Sequence, residues 1–157
     1  MSLRLISASR LDGEAFPAQS LLGQSLQHPA HADLPRTIHT SNSTGLPELY
    51  NQALHSCSED ILLFCHDDLA LPPEPLEPRL TLQLEPFAIA GLAGNSRDCN
   101  HLAWHLRPDG AGWDFPYLRG AMCSGDRNHH RKDVFGLTNT PVQLIDGVLI
   151  AVQRQQL

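Results

Sequence analysis

Apolar residues along this chain come in short runs separated by polar and proline-rich stretches. Residues 3–9 (LRLISAS) alternate weakly and predict a first strand. A mixed connection follows over residues 11–33, with a short helix near residues 18–27. Residues 34–40 predict a second strand, and residues 40–45 (TSNSTG) a polar turn of capping residues. A helix should follow, because Pro47 suits a first helical turn and Leu46, Leu49, Tyr50, Ala53 and Leu54 recur at helical spacing. Residues 61–65 (ILLFC) are continuously apolar and predict a strand buried on both faces. Beyond them Pro72, Pro73, Pro75 and Pro78 exclude a central strand. The spacing of Leu76, Leu80 and Leu84 predicts a helix ending near Pro86. Residues 87–94 (FAIAGLAG) predict another buried strand, and residues 95–140 read as irregular. Residues 142–152 predict a strand, a break at Asp146-Gly147 and a strand. Strands alternating with helices predict an α/β fold with a mostly parallel central sheet flanked by helices.

Composition narrows the function. A chain of 157 residues is long enough for a core and predicts a single domain over residues 1–157. The net charge of −6, with Lys132 the one lysine, excludes a basic nucleic-acid-binding face. It also argues against electrostatic attachment to an anionic membrane. The first residues carry no signal-peptide pattern and no segment reaches the length of an apolar membrane span, so a cytoplasmic location is predicted. Cys57, Cys65, Cys99 and Cys123 form no CxxC pair and are read as free thiols.

The chemistry gathers where the run 61–65 meets His66, Asp67 and Asp68. In open α/β sheets ligands bind outside the carboxyl ends of the strands, and adjacent carboxylates there suit a divalent cation and a phosphate. The plainer reading is a turn before Pro72-Pro73 with a structural histidine. Arg10 offers a bidentate fork to a phosphate, or a surface ion pair. Asp146-Gly147 is a site acid or a simple turn, and Asn51 a pocket residue or an ordinary polar-face residue. Residues 128–132 (NHHRK) read as a solvated loop or as a basic loop over a diphosphate. Trp104 and Trp113 pack under the long irregular segment or stack on a sugar.

Five segments in order, LISASR, SNSTGLPELYNQAL, ILLFCHDDLAL, FAIAGLAG and VQLIDGVLIAVQR, resemble a family-2-like glycosyltransferase domain of the nucleotide-diphospho-sugar transferase (GT-A) fold. The likeness is to the branch in which Asp-x-Asp reads His-x-Asp, here His66-Asp67-Asp68. The resemblance implies a Rossmann-like GT-A fold and transfer of a sugar from a nucleotide-diphosphate donor to an unknown acceptor. It implies Asp68 as ligand to Mn²⁺ or Mg²⁺ and His66 facing the ribose. It places Ser9 beside the base, Asn51 on the nucleotide pocket and Asp146 on the acceptor side as the catalytic acid. Arg10 and Asp67 join the nucleotide-binding group.

In that family the general base usually lies in a segment beyond the counterpart of Asp146, and here Leu157 comes first. The acceptor-side segment is therefore read as missing, which leaves transfer itself open. Two other functions stand beside it. One is a non-catalytic nucleotide-sugar-binding module; the other is a metal hydrolase using His66, Asp67 and Asp68 with His101, His105 or His129. An exposed sheet edge where that segment would lie predicts a homodimer.

Overall fold

The computed structural model describes residues 1–98, 103–125 and 130–156. The chain divides into two compact units, one of residues 1–90 and 148–157 and the other of residues 91–147.

The first unit is built on a five-stranded sheet. β1 (Leu3–Ala8) pairs in parallel with β2 (Arg36–His39) on one side and with β3 (Ile61–Cys65) on the other. β9 (Leu149–Gln153) then pairs antiparallel with β3, Ile61 opposite Gln153 and Cys65 opposite Leu149. The sheet order is β2-β1-β3-β9-β4, with β4 spanning Ile89–Gly91. Two short helices, α1 (Phe16–Gln19) and α2 (Leu21–Ser25), join β1 to β2. α3 (Leu46–Ser56) lies between β2 and β3, and α4 (Glu77–Leu84) between β3 and β4.

Alternation of side chains along the strands sorts the core into two layers. Leu3, Leu5, Ile61 and Leu63 pack with Leu22 and Leu26 from α2 and its end, and with Leu76 and Leu84 around α4. Ile6, Leu62 and Phe64 pack with Ala53, Tyr50 and Leu54 of α3. All five residues of β3 are buried, which is why that strand carries no polar side chain. Gly23 sits so close to the Phe16 carbonyl and the Ser20 hydroxyl that a Cβ there would collide with both.

The described residues of the second unit form strands and turns. β5 (Ala93–Asn95) pairs antiparallel with β6 (Leu118–Gly125) and with β8 (Leu144–Ile145), and β6 pairs antiparallel with β7 (His130–Val134). Its small core holds Ala93, Leu118 and Phe135, with Trp104 packed against them.

The expectation of a mostly parallel, helix-flanked sheet in a Rossmann-like GT-A fold is therefore overturned. The chain forms two mixed or antiparallel sheets in which four of the six registered strand pairings are antiparallel. The reason lies in what an apolar run reports. It signals burial on both faces, not strand direction, and β3 is buried while pairing parallel with β1 and antiparallel with β9. The segment read as irregular holds β6 and β7, whose sequences LRGAMCSG and HRKDV lack the alternation and β-branched content that mark a strand. Asp146-Gly147 does not close a hairpin, because β8 and β9 belong to different sheets.

Candidate functional site

β1 and β3 run parallel, so their carboxyl ends open on the same side of the first unit. A cleft of about 560 Å³ lies there, lined by residues 8–11, 42–46, His66 and Asp67. That volume falls within the usual range for small-molecule sites.

Its floor is tied together by the backbone. Ser9 N–H donates to the His39 carbonyl at 2.9 Å, which extends the β1–β2 ladder by one step. Asn42 N–H donates to the Ser9 carbonyl at 2.8 Å, and Ser41 N–H to the Leu11 carbonyl at 2.7 Å. Ser41 adopts a left-handed conformation, φ 49°, at the bend that makes this return possible. Asn42 then folds the loop on itself: its Oδ1 accepts Thr44 N–H at 3.1 Å and its Nδ2 donates to the Thr44 carbonyl at 2.8 Å. The turn delivers the chain to Gly45, the N-cap of α3, where no side chain caps the helix. Gly45 and Leu46 line the cleft, so the first turn of α3 opens on it.

The acidic side of the cleft is set by Ser9 and Asp67. Ser9 is buried, its Oγ accepts Leu11 N–H at 3.1 Å, and its hydroxyl donates to Asp67 Oδ2. The serine therefore spends its one proton on the aspartate. The Asp67 carbonyl accepts Leu22 N–H at 3.1 Å, joining the start of α2 to the same turn. His66 N–H donates to the Val148 carbonyl at 3.0 Å, which holds the turn to the entry of β9. Beneath it Cys65 is buried and its Sγ donates to the His66 carbonyl. Burial pushes the Cys65 thiol up to about 12, and the Asp68 and Asp67 carboxylates push in the same direction. Burial also raises the Tyr50 hydroxyl above its ordinary value, with Cys65 adding to the effect.

The fold thus brings Ser9, Arg10, His66 and Asp67 together on one cleft. Arg10 is exposed at its rim. Asp68 follows in the same turn with its side chain exposed. Asn51 is exposed on α3 and does not line the cleft. Asp146 belongs to the second unit, where its N–H donates to the Ala93 carbonyl at 2.9 Å. His105 is also in the second unit, and His101 and His129 lie outside the described residues. So does Asn128 of the 128–132 cluster; within it Arg131 and Lys132 are exposed. Sequence reasoning missed the lining role of residues 42–46. The signal is present in the polar turn of capping residues 40–45, a pattern that reports a turn before a helix and carries no mark of a cleft.

Asp67 and Asp68 carry carboxylate oxygens, the donor type that Mg²⁺ and Mn²⁺ prefer. Among the described residues no three His, Cys, Asp or Glu side chains converge as a metal cage. No described helix is long and apolar enough to cross a membrane. No protein-family model matches the chain, and no curated protein matches it.

Proposed function

We propose that the cleft binds a nucleoside-diphosphate sugar together with Mn²⁺ or Mg²⁺, and that the protein transfers the sugar to an acceptor. The observation that carries this reading is the pairing of Asp67, fixed by Ser9, with an opposite rim formed by the polar loop 42–45 and the start of α3. One wall is acidic and calls for a cation; the other offers hydroxyls, an amide and helix N–H groups to a polar ligand. Arg10 at the rim adds a cationic fork suited to phosphate oxygens. The order of the five segments that resemble family-2 glycosyltransferases supports the same substrate class.

In this reading Asp68 holds the cation, with Asp67 beside it. The bound ion would neutralise the diphosphate and stabilise it as a leaving group. Ser9 keeps the Asp67 carboxylate turned to one side, leaving its second oxygen for the ligand. His66 lines the cleft and offers a ring nitrogen to a ribose hydroxyl.

Calorimetric titration of UDP and of GDP, each with and without Mn²⁺, tests the proposal. Metal-dependent binding of one nucleotide is expected, and Asp68→Ala should abolish the dependence on metal. Metal-dependent binding that survives Asp68→Ala would sink the assignment. Binding of the nucleotide sugar with neither transfer nor hydrolysis would reduce the protein to a nucleotide-sugar-binding module.

A further inference from the structure

We propose that the aromatic turn of residues 104–115 in the second unit is a saccharide-binding platform that takes the face of an uncharged sugar ring. Trp113 and Phe115 are 44% and 62% exposed, although large aromatic side chains are normally among the better buried. Their rings lie 5.7 Å apart, with planes within 19° of parallel. Trp113 sits in an isolated bridge and Phe115 opens the turn of residues 115–117; the two rings stack on each other while Asp114 between them is buried.

The platform is held rigidly from behind. Leu106 and Trp113 form an antiparallel bridge, Arg107 N–H donates to the Gly112 carbonyl, and Asp114 N–H donates to the His105 carbonyl. Asn95, fully buried, donates from Nδ2 to the Trp104 carbonyl at 2.9 Å and approaches Asp114 Oδ2 at 3.4 Å. Aromatic contacts then run outward from the core in sequence. Phe135 meets Trp104 at 5.9 Å, Trp104 meets His105 at 5.6 Å, and His105 meets Trp113 at 5.2 Å. A surface fixed this way binds without a large ordering cost.

Charge selects the ligand. Arg97 pairs with Asp114 at 3.5 Å and also lies over the Tyr117 ring, and Arg107 pairs with Asp109 at 3.7 Å. Both of these arginines are matched by carboxylates, which suits the turn to a neutral partner. A phosphate backbone or an anionic headgroup would need unmatched positive charge. A pyranose supplies what fits: a face of weakly positive C–H groups for the negative faces of the rings, and a rim of hydroxyls for His105 and the ion-paired side chains. As a sugar-binding surface the platform stands by itself.

The test uses the full chain without nucleotide or metal. Cellohexaose, chitohexaose and maltohexaose are titrated separately, followed by tryptophan fluorescence and calorimetry. Binding of at least one is expected, weakened roughly tenfold by Phe115→Ala, the size of one aromatic stacking interaction, and restored by Phe115→Tyr. Trp113→Ala should weaken it similarly. Absence of binding to all three, or binding indifferent to both alanine variants, would overturn the proposal. So would Phe115-dependent binding to phosphatidylcholine vesicles in place of sugars. Because no nucleotide is present, failure of the donor cleft to bind UDP or GDP leaves this result standing, and the reverse also holds.

Discussion

Ser9 and Asp67 show how one hydroxyl sets the chemistry of the cleft. Ser9 donates its hydroxyl hydrogen bond to Asp67 and accepts one from Leu11 N–H, so its effect on a ligand passes through the aspartate. Ser9→Ala should cost about 1–3 kcal/mol in urea unfolding, the range for stranding buried hydrogen-bonding groups. It should also weaken metal-dependent nucleotide binding. Cys65 makes a second residue-scale prediction. Its thiol titrates near 9 when unfolded and is pushed up to about 12 when folded. Above pH 9 the unfolded chain therefore loses this proton while the native chain keeps it. The stability it contributes is complete below pH 9 and falls as pH rises toward 12, by on the order of a few kcal/mol. Urea unfolding at pH 8 and pH 10.5 should show a smaller alkaline loss for Cys65→Ala than for the parent chain; equal losses would refute the assignment. The carboxylates beside this thiol were legible in the sequence, because they follow an apolar run. Ser9's service to Asp67 was not, since 58 residues separate the two and only the parallel register of β1 and β3 brings them together.

At the scale of elements, what was legible had a strong period or a strong punctuator. The strand of residues 61–65 and the proline-started helix α3 form where the pattern placed them. So does α4, between prolines that delimit it. β6 was not legible because a glycine interrupts it and polar residues follow, and that glycine is required by the fold. Gly120 has φ 109°, and a Cβ there would strike the Leu92 carbonyl. Gly120→Ala should therefore destabilise the second unit by roughly 2–5 kcal/mol, from backbone strain plus overpacking. Both tryptophans, Trp104 and Trp113, lie in that unit, so their fluorescence reports its unfolding directly. Gly147 is the opposite case. It has open space around its Cβ position and no positive φ. Gly147→Ala should be neutral or stabilise by about 0.4–1 kcal/mol, by restricting the unfolded chain. A melting temperature lowered as far as in Gly120→Ala would contradict that. The cleft was half legible for the same reason: its acidic wall follows a strand, while its opposite wall is a turn whose return to Ser9 depends on Ser41 adopting a left-handed backbone.

Across the whole molecule, parallel pairing was inferred from burial, and burial does not carry direction. What the sequence could not display is that the chain leaves the first sheet after β4, builds a second sheet, and returns only at β9 to lie against β3. β3 is then paired on both sides and buried on both faces, so its amides should exchange with deuterium more slowly than those of any other strand. That closure has a consequence during synthesis. A ribosome delivers β1, β2 and β3 early, and those three can pair as soon as they emerge. The far edge of ILLFC then waits, apolar and unpaired, through the translation of the entire second unit. Polypeptides released by a stall or a premature stop before residue 149 would carry that open edge permanently. They are the species expected to aggregate or to be taken up by a chaperone.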